Sequence, residues 1–181
     1  LGSTPARVQS PSGSARLQGG FEDWTLALEA ALAAQGHSGE LTAAAHGGST
    51  QARIDTLDAQ LLGGRLHGVG ELQWAPALRY AASVQAERLD PGLVWPQWPG
   101  RLALELAASG NAAQAEAQLT RLGGTLRGQP LAGRGAVAWQ DRSLHLSDVD
   151  LRLGRARLQA TGTALGEGPP LAATLDIPAA G

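Results

Sequence analysis

Apolar and polar residues alternate one by one along nearly the whole chain, and this period of two decides what it can fold into. In "WTLALEAAL" Trp24, Leu26, Leu28 and Leu32 all fall on even positions, which in an extended strand is one face. "RLHGVGELQW" sets Leu66, Gly68, Gly70, Leu72 and Trp74 against Arg65, His67, Val69, Glu71 and Gln73. "LRYAASVQAE" sets Leu78, Tyr80, Ala82, Val84 and Ala86 against Arg79, Ala81, Ser83, Gln85 and Glu87, and "RLALELAA" sets Leu102, Leu104 and Leu106 against Arg101, Ala103 and Glu105. "AQAEAQLT" alternates small apolar residues with Gln and Glu. Further strands read from "GAVAW" (Val137, Trp139), "SLHLSDVDLRL" (Leu144, Leu146, Leu151, Leu153), "RARLQATGTAL" (Leu158) and "LAATLDIP". Ala, Leu, Glu and Gln are good helix formers, so a helix over Thr25 to Gln35 stays open as the competing reading.

Turn chemistry separates these runs: "SPSGS", Gly-Gly at 19, 47, 63 and 123, "LDPG" and "GEGPP". The spacing predicts strands of about ten residues, long against the usual five or six. Long strands in succession imply a broad sheet.

The chain also resembles itself. "DTLDAQLLGGRLHGVGELQW" (Asp55 to Trp74) and "QLTRLGGTLRGQPLAGRGAVAW" (Gln118 to Trp139) both read as a leucine strand, a Gly-Gly break, a short strand, a Gly-x-Gly and an apolar strand closed by Trp. "LSDVDLRLGRARLQATGTAL" (Leu146 to Leu165) keeps the order without the Trp. The expected architecture is a stack of hairpin units. Glycines inside strands read as kinks or bulges that let the sheet curl, with the apolar side expected on the inside.

"RLDPGLVWPQWPG", Arg88 to Gly100, gathers Trp95 and Trp98 among three Pro in a chain with five Trp, one Tyr and one Phe. "LDPG" predicts a turn with Pro91 second and Gly92 at positive φ third. The remaining Pro cannot donate to a ladder, so the sheet is expected to break here or present an edge. The two Trp either line or plug an apolar trough or form a lid over a closed core.

Composition removes several classes of function. A formal charge of -2 leaves no strongly basic surface, which argues against nucleic acid. All fourteen cations are Arg, which reads as GC-rich coding, although any one of them retains the fork that pairs with phosphate. Without Cys there are no disulfides or thiolate metal sites. The histidines at 37, 46, 67 and 145 show no ligand spacing, no Gly-x-Ser-x-Gly elbow occurs, and Ser143, His145 and Asp148 diverge along a strand. Asp55 with Asp58, or Glu87 with Asp90, read as strand-end or outer-face charges. "GGRLHGVG" fails as a phosphate loop because a strand, not a helix, follows it. No enzyme activity, metal or cofactor is expected. No apolar run approaches the ~20 residues of a membrane helix, and the opening "LGSTPARVQS" reads as part of something longer whose targeting segments lie elsewhere.

"ERLDPGLVWPQWPGRLALELAASG", with "LLGGRLHGVGELQW" and "LGGTLRGQPLAGRGAVAW", resembles the TamB family of translocation and assembly module subunits, within the wider AsmA-like proteins. The likeness covers most of the chain and is weakest over its first twenty and last fifteen residues. It implies an all-β fold: an elongated, curved, antiparallel-rich sheet folded over a hydrophobic groove like a taco. It further implies a place in the periplasm as part of a protein anchored in the inner membrane, phospholipid cargo moving toward the outer membrane, and a BamA-like outer-membrane partner met through other parts of the full-length protein. Residues 1–181 are then a single segment of such a groove, with a sub-boundary near 90–100.

The residues expected to line the groove are Trp24, Leu26, Leu28, Leu66, Leu72, Trp74, Leu78, Tyr80, Val84, Trp95, Trp98, Leu102, Leu104, Leu106, Val137, Trp139, Leu144, Leu146, Leu151, Leu153 and Leu158. A scaffold whose free sheet edge pairs with client strands is the competing reading. A surface adhesin or carbohydrate-active β-helix fits less well, because the chain holds one Asn.

Overall fold

The computed structural model describes residues 8–34 and 37–177. It is all-β apart from one turn of 3₁₀ helix, η1 (Pro91–Leu93). The strands are β1 (Val8–Gly19), β2 (Trp24–Ala34), β3 (His37–Gly47), β4 (Gln51–Leu61), β5 (Gly64–Gln73), β6 (Arg79–Leu89), β7 (Gly100–Asn111), β8 (Ala115–Leu126), β9 (Gln129–Gln140), β10 (Ser143–Leu153), β11 (Ala156–Leu165) and β12 (Ala172–Asp176). They form one sheet in the order of the sequence, every neighbouring pair antiparallel. The sheet is curved and does not close on itself, a groove-type fold of the taco kind.

Alternation prevailed over helix propensity: the stretch from Trp24 to Ala34 is strand β2, paired residue for residue with β3. A lone helix there would leave the row Trp24, Leu26 and Leu28 without the neighbours it meets on β3. Gln35, the end of the helical alternative, lies outside the described residues.

Hairpins with two-residue turns fix the register. Leu62–Gly63 and Arg127–Gly128 take φ of 51° and 70°, and 52° and 74°, the left-handed pair whose twist suits antiparallel strands. Asp141–Arg142 does the same at 50° and 61° without a glycine.

Several expected turns are not turns. "SPSGS" lies inside β1, where Ser12, Gly13 and Ser14 pair with Ala31, Ala30 and Glu29, the misfit being absorbed between Gln9 and Ser12. An edge strand tolerates such residues because only one side of its ladder is used. Gly123–Gly124 lies inside β8, and the chain turns four residues later at Arg127–Gly128. The short strand and the apolar strand of each repeat are one strand, β5 or β9, running straight through Gly68 and Gly70, or Gly133 and Gly135.

Bulges sit elsewhere, at polar pairs. Register shifts fall between Ile54 and Leu57 in β4, Ala86 and Leu89 in β6, Leu119 and Leu122 in β8, and Leu146 and Val149 in β10. Arg88 and Asp148 take positive φ, 57° and 51°. An extra residue in one strand of a pair is what changes the parity of everything after it.

The segment at 90–99 does not break the sheet, because β6 and β7 pair directly on either side of it. Gly92 is not at positive φ; Pro91 instead starts η1, with Asp90 accepting from the Gly92 N–H at 2.8 Å.

Candidate functional site: an apolar face of continuous rows

Cross-strand register turns the alternating leucines into rows that run across the sheet. One row passes through Trp24, Gly47, Ala52, Leu72, Tyr80, Gly110, Ala115, Trp139 and Leu144. The next holds Leu26, Ala45, Ile54, Gly70, Ala82, Ala108, Ala117, Val137 and Leu146. A third holds Leu28, Ala43, Leu57, Gly68, Val84, Leu106 and Leu119. The fourth runs Leu41, Ala59, Leu66, Ala86, Leu104, Leu122, Gly133, Leu151 and Leu158. Leu102 and Leu153 begin a fifth with Leu89, Gly124 and Leu131.

Large and small residues interdigitate along these rows. A Cβ on Gly47 would stand 2.5 Å from Cζ2 of Trp24, one on Gly133 would stand 2.5 Å from Cδ2 of Leu151, and one on Gly110 would strike the Tyr80 ring. Gly47, Gly110 and Gly133 therefore make room for neighbouring side chains, and the register shifts of β4, β6, β8 and β10 fall at other residues.

Among the described residues nothing but its own side chains covers this face. Among the described residues no large side chain is fully buried, and the buried apolar residues are Ala59 and Ala86. Leu72, Leu106 and Trp139 remain 43%, 38% and 41% exposed. The chain presents 12395 Å² to solvent, against about 8,000 Å² for a compact protein of its 18.5 kDa. The leucines and tryptophans are thus not packed into a sealed interior.

Four of the expected residues stand apart from the rows. Trp74 and Leu78 lie in the β5–β6 connection, where the Trp74 Nε1–H donates to the Ser49 carbonyl at 2.8 Å. Trp95 and Trp98 lie in the β6–β7 connection at the opposite rim. Conversely, Leu41, Ile54, Leu57, Leu119, Leu122 and Leu131 belong to the face and were not expected there. The signal for Ile54, Leu57, Leu119 and Leu122 is an apolar–polar–polar–apolar step inside a strand, "IDTL" and "LTRL", repeated as "AERL" and "LSDV".

The other face carries the charges. His46 meets Asp55 at 2.7 Å, His67 meets Asp58 at 2.8 Å, Arg121 meets Glu105 at 3.6 Å, and Asp150 receives both Arg157 and Arg152. It is hollowed as well: two adjoining grooves of about 790 and 620 Å³ share Arg53, Glu71, Ser109, Glu116 and Ala138. The second is lined mainly by small residues such as Ala81, Ser83, Ala107 and Ala136, so this hollow lies on the side expected to be the outer one. Among the described residues no group of three or more His, Cys, Asp or Glu is placed to hold a metal ion, and no helix is long and apolar enough to cross a membrane.

No curated protein and no solved structure matches the chain. A family model described as TamB, N-terminal domain, matches residues 3–180. The match spans all twelve strands, so it takes in the whole apolar face, and TamB proteins are envelope proteins of transport and assembly. This chain belongs to the TamB N-terminal domain family.

Proposed function

We propose that this chain is a segment of a periplasm-spanning bridge whose apolar face shields phospholipid acyl chains as they pass between inner and outer membranes. The parent protein is anchored in the inner membrane and meets a BamA-like partner through other parts of its chain. The observation that carries this reading is the set of apolar rows running from β2 to β11 on one face, half exposed and with no second layer over them. Each acyl methylene taken out of water contributes about 0.8 kcal/mol. Weak contacts spread along a row therefore hold a chain without a dedicated pocket, and uniform rows let it slide.

A photo-crosslinker at Leu72, Leu104 or Val137 is expected to capture phospholipid in cells, and one at Glu71, Glu105 or Gln159 on the other face is not. Equal capture from both faces removes the proposal.

The alternative is an assembly scaffold that binds outer-membrane protein strands by edge pairing. It is favoured by one observation: β12, five residues long and paired with Arg157 to Thr161 of β11, is the last strand of the sheet, and among the described residues no strand pairs with its outer edge. Proline placed in β12 then abolishes client binding while Leu104→Asp leaves it intact; the reverse ranking favours lipid.

A further inference from the structure

Because the strands alternate in direction, the turns β4–β5, β6–β7, β8–β9 and β10–β11 all lie along one rim of the sheet. The β6–β7 connection is the long one. From Pro91 to Gly100 it carries no charged residue and holds Leu93, Val94, Trp95 and Trp98.

The loop is held in a single shape. The Asp90 carboxylate accepts from the N–H groups of Gly92 and Gly100 at 2.8 and 3.0 Å, which closes the loop at its base. The Trp95 N–H donates to the Pro91 carbonyl and the Trp98 N–H to the Trp95 carbonyl, each at 2.8 Å. Asp90 N–H donates to Leu62 O in the turn on one side, and Arg127 N–H to Pro99 O in the turn on the other. Trp95 and Trp98 nevertheless stay 53% and 40% exposed. A rigid loop that presents two wet indoles has already met the ordering cost of contact with an apolar partner.

Charge on the same rim has one dominant sign. The two-residue turns contribute Arg127 and Arg155, and Arg88 stands at the end of β6. The Arg127 guanidinium lies 5.4 Å from the Trp98 ring centroid. Of the acids nearby, Asp90 caps backbone N–H groups, while Glu87 stands opposite Arg65 in the β5–β6 register and Asp176 opposite Arg157 in the β11–β12 register. The loops of the opposite rim carry instead Glu22, Asp23, Asp141 and Glu167, with Arg142 as their cation.

Trp favours the depth where headgroups meet acyl chains, and Arg pairs bidentately with phosphate. We propose that this rim docks on an anionic bilayer surface, Trp95 and Trp98 seated at headgroup depth and Arg88, Arg127 and Arg155 against lipid phosphates. The contact is separate from acyl-chain shielding by the apolar rows, and either stands without the other.

The test is flotation of the 181-residue chain with vesicles of phosphatidylglycerol and phosphatidylcholine, and with phosphatidylcholine alone. Expected is co-flotation with the anionic vesicles at low salt, weakened about tenfold by Trp95→Ser with Trp98→Ser and again by Arg127→Gln. Arg142→Gln on the opposite rim should leave it unchanged. Bromine-labelled lipid should quench Trp fluorescence in the unaltered chain and much less in the Trp95/Trp98 variant. Circular dichroism showing full strand content in the variants excludes misfolding as the cause of a loss, and Arg127→Gln leaves both indoles in place should the double variant fail to fold. No flotation with anionic vesicles, equal flotation of the variants, or equal affinity for the neutral vesicles would overturn the proposal, as would capture of a protein partner by the rim in place of vesicles. Phospholipid crosslinking at Leu104 should be unaffected by the Trp95/Trp98 change, so the failure of one reading is told apart from the failure of the other.

Discussion

Arg157 grips Asp150 across the β10–β11 pair with two hydrogen bonds of 2.8 Å, Nε–H to Oδ1 and Nη2–H to Oδ2. Arg152, which stands directly opposite Arg157, reaches the same carboxylate at 3.4 Å. One acid thus separates two facing cations beside the last full-length strand.

That arrangement lowers the pKa of the Asp150 carboxyl to about 2, chiefly through the Arg157 hydrogen bonds and charge and against partial desolvation. A carboxyl whose pKa is lowered by folding stabilises the fold above its unfolded value of about 4, and the contribution is lost as pH falls toward 2. Hydrogen exchange in β10 to β12 is expected to accelerate over that window, and Asp150→Asn should show the faster exchange already at neutral pH. Identical exchange in the two proteins at pH 6 would refute the role.

Gly47 and Gly123 make opposite predictions for one substitution. At Gly47 a methyl group meets the Trp24 ring and the Gln51 carbonyl, so Gly47→Ala should cost about 1–3 kcal/mol in urea unfolding. At Gly123 nothing lies within 4 Å, and Gly123→Ala should be neutral or stabilise by up to about 1 kcal/mol.

Deleting Thr120 removes the extra residue of the β8 bulge. The half-strand beyond it then keeps its facing, because Leu119, Arg121 and Leu122 alternate without a bulge: Leu122 stays on the apolar face and Arg121 stays opposite Glu105 on the charged one. The chain has no Cys, so single cysteines at 121 and 122, with and without the deletion, report their faces through reactivity toward water-soluble and lipid-soluble maleimides. Unchanged reactivity at both sites is expected, and an exchange between the two would refute the assignment of Thr120 as the extra residue.

Leu104→Asp places a carboxylate in the middle of the fourth row, between Ala86 and Leu122. Crosslinking of phospholipid from Leu72 and Val137 in the first and second rows should fall severalfold, because a charge among acyl chains must keep water beside it. Glu105→Leu, one residue away on the other face, should leave capture unchanged.

The sheet, its strand lengths and most of its apolar rows were legible because strict alternation leaves a strand no other way to sort its side chains. The rule fails where its assumption of constant parity fails. Ile54 and Leu57 are three apart, as are Leu119 and Leu122, and only the bulge between them restores both to one face. Glycine misled in two ways. At Gly123–Gly124 the pairing of β8 with β7 and β9 overrides a local turn preference, while at Gly47 and Gly133 the residue answers to Trp24, Leu122 and Leu151 on adjacent strands, information that no window of sequence holds. Trp95 and Trp98 were recognisable as an interruption, but the hairpin loop they occupy depends on Asp90 gathering two amides eight residues apart.

Each strand pairs only with its predecessor and successor, and the first never meets the last. At about 4.8 Å per strand the twelve span roughly 50 Å, and adding or losing a hairpin would change that reach by about 10 Å without disturbing any distant contact. A body assembled this way behaves as a ruler: its length changes one hairpin at a time, and damage at one end need not unravel the other.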